Sequence, residues 1–263
     1  MVKLNLEFLR PLIRYLPEVR LPKRHVPFKE KLMWSSIVLG LFFLMGTIYP
    51  VGVSKVDLPP GYQQMTMIFA SNIGSIISVG IGPIVTASII LQLLVGSGII
   101  ELDLSNAENK ALFQGAQKIL TVVLAIFEGA AVTIGFKLGH EFLGGNWAVT
   151  HPLVIAAMFQ IALGSILLMF MDEVVSKWGI GSGIGLFIAG GVSRRIITGA
   201  LNFLEWIDPS RFPGTLGVIP NFISLALTGN FQLMVLFPVI ATIVVFLVVV
   251  FGESMRLEIP LSY

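Results

Sequence analysis

Glu128 is the residue whose type and position most invite chemistry. It stands alone in the middle of an apolar run over 119–137. An ionised carboxylate at the centre of a membrane helix costs about 2.5–3.5 kcal/mol on insertion scales, so it must face protein or water. Three readings fit it: a polar contact between moving helices, a proton site, or a satisfied interhelical hydrogen bond. Asp172 and Glu173 are adjacent, so on a helix they point in different directions. Beside Ser176 and Lys177 they read as a solvated cap at a helix end. His25, His140 and His151 fall at segment edges, show no metal-pair spacing, and read as solvated. No cysteine is present, which excludes disulfides and thiolate chemistry. The run GIGSGIG at 179–185 lacks a third glycine at 184 and has Leu186 where Gly or Ala is needed. It therefore fails the dinucleotide and phosphate-loop patterns, and reads as small residues that let helices approach closely. No catalytic set, metal site or cofactor site emerges, and no enzyme is expected.

The elements that hold these residues are set by composition. Hydrophobic residues make up 55% of the 263 and charged residues 12%, against about 25% charged in an ordinary soluble domain. Mean hydropathy is +0.89. A helix crossing the ~30 Å hydrocarbon core needs about 20 apolar residues, and six segments qualify: 32–49, 78–100, 119–137, 152–171, 180–200 and 231–251. The expected class is an all-α polytopic membrane protein with six transmembrane helices. Eight of the 17 Lys and Arg lie in residues 1–31, and 12 of the 17 fall in segments that are cytoplasmic if the N-terminus is inside. The positive-inside rule selects that orientation. Arg194 and Arg195 run against it. Trp34, Trp147, Trp178 and Trp206 sit near segment ends, as interfacial tryptophans do. No cleavable signal peptide is expected.

Two stretches do not read as simple crossings. Leu6, Leu9, Ile13 and Leu16 share one helical face of residues 4–16, which predicts a short interfacial helix started or kinked by Pro11. Residues 62–77 are apolar but broken by Gln63, Gln64, Ser71, Asn72 and Gly74. That predicts a re-entrant element lining a cavity on the outer side. Gly80 and Gly82 supply a hinge between it and the second span, where Pro83 breaks the ladder near the start; that span carries Ile81, Val85 and Gln92 on one face with Thr86 and Ser88 nearby. Ile184 and Ile188 lie one turn apart on the fifth span. By pattern alone, such aliphatic positions are core.

The stretches FKEKLMW (28–34), GIGPIVTASIILQLLVGSGII (80–100), ENKALFQGAQK (108–118), MDEVVSKWGIGSGIGLFIAGGVS (171–193) and ESMRLEIPLSY (253–263) carry a resemblance over nearly the whole chain. The sequence resembles the SecY family, the large subunit of the preprotein translocase, in its archaeal and eukaryotic branch. The resemblance implies half of a pseudosymmetric protein-conducting channel, with a pore ring, a re-entrant plug helix and a lateral gate. It places the ring on Ile81, Val85, Ile184 and Ile188. It places the plug at about 62–76, with Tyr62, Met65, Ile68, Ser71, Asn72, Ile73, Gly74 and Ile76, and the gate's polar cluster on Thr86 and Glu128. The implied organisation is a cytoplasmic basic segment with the interfacial helix (1–31), a half-channel (32–200), an outer loop (201–230), a sixth span (231–252) and the start of a cytoplasmic loop (253–263).

The same resemblance implies SecE-type and Sec-beta-type small membrane subunits, a ribosome or another cytosolic driving partner, and nascent secretory or membrane polypeptides bearing signal sequences. It implies the cell membrane as location, with the endoplasmic reticulum as the alternative. Family members run longer, so the remaining C-terminal half is expected from a longer or separate chain, and these helices alone are not expected to form a working channel. Two other readings remain, a secondary transporter and a structural membrane subunit.

Overall fold

The computed structural model describes residues 10–53, 66, 68–100, 102–207, 214, 216–229 and 232–255. Among them there is no strand, and the chain divides into two compact units, Met1–Gly191 and Val192–Tyr263.

The first unit holds α1 (Arg10–Ile13), α2 (Phe28–Met45), α3 (Gly82–Gly96), α4 (Ala107–Gly135), α5 (His140–Leu143), α6 (Pro152–Trp178) and the start of α7 (Gly183–Leu201). Helix α6 is central: α2 and α4 pack along it, and α3 packs on α4. Small residues make this possible. A side chain at Gly129 would lie 3.3 Å from the α6 backbone at Met158 and Ala162, and one at Gly164 would strike the carbonyl of Ile76. The core joins Val38, Phe42 and Met45 of α2 to Ile81, Ile84, Leu168, Met169, Val175 and Phe187. Phe42 and Phe187 stack with ring centroids 5.1 Å apart.

Four helices are long and apolar enough to cross a membrane: α4, α6, α7 and the stretch Leu233–Ser254. Helix α2 opens with Lys29, Glu30 and Lys31. Helix α3 has 15 residues, about 22 Å at 1.5 Å per residue, shorter than the expected 78–100. The deficit is taken up by turns over residues 69–81. Helix α4 begins twelve residues before the apolar stretch at 119. The Asn106 side chain accepts the Glu108 N–H at 3.0 Å, an N-cap that starts the helix well ahead of the apolar run. Helix α6 likewise runs on to Trp178.

The expected interfacial helix over 4–16 is a helix only at Arg10–Ile13 among the described residues, and it meets protein. Ile13 fills the space beside Gly115 of α4, and Arg10 pairs with Glu108 at 2.9 Å.

The second unit contains the rest of α7, α8 (Leu204–Ile207), α9 (Val218–Leu227), a 3-10 turn at Leu233–Leu236 and α10 (Phe237–Ser254). The stretch 201–230, expected as a loop, thus carries two short helices. No residue of α10 is buried, although it is almost wholly apolar. Lipid is the solvent that suits such a surface.

Candidate functional site

The four aliphatic residues singled out on the second and fifth spans converge on one cluster. Ile81 is 1% exposed inside the core, and Val85, Ile184 and Ile188 pack against that core while staying partly exposed. Phe187, fully buried between Ile184 and Ile188, anchors α7 through its stack on Phe42. The result is one aliphatic cluster drawn from the start of α3 and from α7, far apart in sequence.

The re-entrant segment is fixed by its own polar side chains. Asn72 Nδ2 donates to the Gly46 carbonyl at 2.6 Å, and Ile76 N–H to the Ile48 carbonyl at 2.9 Å, tying it to the end of α2. Ser75 Oγ donates to the Asn72 carbonyl and accepts the Ile77 N–H, while Ser78 Oγ accepts the Gly74 N–H. Ile81 N–H donates to the Phe69 carbonyl at 2.9 Å, which brings residue 69 directly beside the aliphatic cluster. Gly80 has φ +64°, and a side chain there would strike that carbonyl. The expected helix over 62–76 is corrected in part. Thr66 and Ile68 are helical, but Ser71 and Asn72 are irregular and Ile73, Gly74 and Ile76 lie in turns; the side chains of Ser71, Asn72, Ser75 and Ser78 bond the backbone instead of leaving it to a helix. Ile68 is 66% exposed. Tyr62 and Met65 lie outside the described residues.

Glu128 is half-buried on α4. Its carboxylate lies against the first turn of α3: a side chain at Gly82 would stand 2.8 Å from Oε2. Gly82 and Thr86 are one turn apart and share a face, so Glu128 faces the side of α3 that carries Thr86. That helix end carries partial positive charge, which favours a carboxylate.

A second polar group differs from its expected state. Glu173 is not a solvated cap. Its side chain is 11% exposed, and its two oxygens each accept from Lys118 Nζ at 2.9 Å. It also pairs with Lys177 at 2.8 Å and accepts the Val19 N–H at 3.3 Å. Lys177 reaches Glu18 Oε1 at 2.9 Å and the Val19 carbonyl, and Trp178 Nε1 donates to the Arg20 carbonyl at 2.9 Å. The Glu173–Lys177 spacing of four was a legible signal; Lys118 and Val19, far away in sequence, were not. A cavity of about 200 Å³ opens beside this network, lined in part by Gln114, Gln117 and Thr121. Asp172 does point elsewhere, to α7, where its Oδ1 accepts the Ile184 N–H at 2.9 Å.

The glycine run has a structural account. A side chain at Gly179 would meet Ser35 Oγ and the Val175 carbonyl at 2.8 Å, Gly181 has φ +73°, and one at Gly183 would lie 2.5 Å from the Asp172 Cα.

Residues 75–263 match the SecY family. "Protein translocase subunit SecY" of Methanocaldococcus jannaschii is 46% identical over 254 residues, covering 96% of this chain and 53% of that protein. Its counterpart in Methanothermobacter thermautotrophicus is 48% identical over 262 residues, covering 97% and 54%. The solved structure of a protein-conducting channel superposes with a TM-score of 0.77 at 44% identity, covering 96% of this chain and 54% of that one. Sec61 in the canine ribosome-channel complex from the endoplasmic reticulum gives the same TM-score and identity, covering 97% and 54%. This chain therefore spans about half the length of the relatives it matches. With most of its length matched by the family and this fold in common, the chain belongs to the SecY family.

Proposed function

We propose that this chain supplies the N-terminal half and sixth span of a protein-conducting channel, which passes secretory polypeptides across a membrane and releases apolar segments sideways into lipid. The observation that supports the reading is that Ile81 at the N-cap of α3, Val85 of α3, and Ile184 and Ile188 of α7 all belong to or pack against one core cluster. Aliphatic side chains form a collar with no hydrogen bonds to break. Such a collar yields to an extended chain of any sequence and hinders ions by dewetting.

The segment that brings Phe69 to Ile81 serves as the plug's attachment, with residues 71–78 as its anchor. Thr86 and Glu128 form the gate's polar contact. It holds the closed state until an apolar signal helix, favoured by partition into lipid, displaces it. The remaining half of the channel and SecE-type and Sec-beta-type subunits complete the assembly. A ribosome drives it, in keeping with the similarity to Sec61 of a ribosome-channel complex. The basic N-terminal segment places the N-terminus in the cytoplasm of a cell membrane.

The absence of native cysteine makes the test direct. One cysteine is placed at Ile81, Val85, Ile184 or Ile188 in the complete channel, with controls at the exposed Val123 and Phe159. A stalled secretory chain carrying its own cysteine is then oxidised. Disulfides at the four sites and not at the controls are expected. Uniform labelling, or none, would return the choice to a transporter or a scaffold.

A further inference from the structure

We propose that Asp172 is a positioning residue for the collar: from the end of α6 it sets the register of α7, and so the places of Ile184 and Ile188. The inference rests on the collar reading above. The first N–H groups of a helix have no partner within it and need an outside acceptor. Helix α7 takes its acceptor from α6. Asp172 Oδ1 accepts the Ile184 N–H at 2.9 Å. The bond thus falls on a collar residue itself, with Ile188 one turn further along.

The fit is tight on the other side. A side chain at Gly183 would lie 2.5 Å from the Asp172 Cα and 2.8 Å from Oδ1. The nearest atom, the Asp172 Cα, is backbone and cannot swing aside, so α7 approaches this closely only with glycine at 183. The turn before it is pinned separately, by the Ile180 N–H donating to Ser35 Oγ of α2 at 3.0 Å. Ser35 fixes where the turn lies, and Asp172 fixes where the helix begins. A collar of aliphatic side chains cannot locate itself, because dispersion contacts are non-directional; a charge-assisted hydrogen bond to the backbone is directional.

The test uses the complete channel with spin labels at Val85→Cys and Ile188→Cys, and a second pair at Val123→Cys and Phe159→Cys on the outer faces of α4 and α6. Asp172→Ala should shift the 85–188 distance by about 1.5 Å or more, one residue of helical rise, and leave the 123–159 distance unchanged. Asp172→Asn keeps an oxygen acceptor and should hold the distance, whereas Gly183→Ala should reproduce the shift. The closed-channel ion leak should rise about tenfold for Asp172→Ala and not for Asp172→Asn. An unchanged 85–188 distance in Asp172→Ala, or a shift of both pairs together, overturns the inference. A shift of the 85–188 pair with no change in leak overturns the collar reading and leaves the pinning of α7 standing.

Discussion

Two glutamates on neighbouring helices show how differently this chain treats a charge. Glu173, at the end of α6, is satisfied on all sides by Lys118, Lys177 and the Val19 N–H. Glu128, in the middle of α4, is half-buried, and among the described residues its carboxylate is met by the end of α3 and by no cation. The first arrangement is a clasp: it binds the N-terminal segment around Glu18–Arg20 to α4 and α6 with both charge and main-chain hydrogen bonds. The second is a contact held by one weak dipole and close packing. Under the channel reading proposed above, the weak contact lies at the seam that opens and the strong one away from it.

The comparison breaks most visibly at Glu173. Glu173→Ala would leave Lys118, 18% exposed, without its paired carboxylate and beside Lys177, which would keep only the exposed Glu18 as counter-charge. Removing one partner of a buried pair costs about 3 kcal/mol or more, so the detergent-solubilised protein should lose its N-terminal docking and melt several degrees lower. Replacing Lys118, Glu173 and Lys177 together by methionine should restore most of the loss, because no buried charge is left uncompensated and Glu18 is exposed to water. If the single variant melts like the parent, the clasp is not structural.

Gly82→Ala probes the other side. The new methyl would stand 2.8 Å from Glu128 Oε2, and overpacking of this kind costs about 1–3 kcal/mol. The carboxylate is the far end of a flexible side chain, so the cost should fall toward 1 kcal/mol and should vanish in the double variant Gly82→Ala, Glu128→Ala. A thermal-denaturation cycle over the four proteins measures that coupling. Additive costs would mean that Glu128 does not rest on α3.

Glu128→Gln should barely change stability, by less than about 1 kcal/mol, since it removes a charge that is costly in the membrane. Its effect should appear in function: weakly apolar signal sequences should be accepted at altered efficiency in a translocation assay with the complete channel. A large stability loss with unaltered signal selection would make Glu128 a structural residue like Glu173 and erase the contrast.

The sequence made one of these two acids legible and hid the other. Glu128 stood out because hydropathy alone marks a lone carboxylate among apolar neighbours. Glu173 reads as solvated from sequence because Lys118 comes from α4 and its main-chain donor from Val19, and no local pattern encodes such distant partners. The same division runs through the fold. The apolar lengths of α4, α6, α7 and α10 announced membrane spans. The turns over 69–81 were visible only as a polar interruption. Their path depends on Asn72 finding the carbonyl of Gly46 and on Gly164 admitting the carbonyl of Ile76. Ile81, Val85, Ile184 and Ile188 looked like ordinary core by spacing, and the structure gathers them at one core cluster; the collar proposed for them was legible only through the family likeness.

The smallest expected effect sits at the rim of the clasp and separates its exposed part from its buried part. Glu18 is mostly exposed, and the hydrogen bond from Lys177 holds its carboxyl below the usual carboxylate range. A depressed folded-state pKa means that the stabilisation is fully present above the unfolded pKa and is lost as pH falls through the folded one. Glu18→Gln should therefore cost a few tenths of a kcal/mol at neutral pH, as exposed pairs do. The difference from the parent should close once the pH is taken below the carboxylate range, under about 4. High salt should close it too, because an exposed pair is screened, whereas the loss in Glu173→Ala should persist. Melting curves of the three proteins at neutral pH, at low pH and in 1 M salt, where the screening length is about 3 Å, decide the matter. If salt erased the Glu173→Ala loss as well, the clasp would be a surface feature and no stronger than the contact at Glu128.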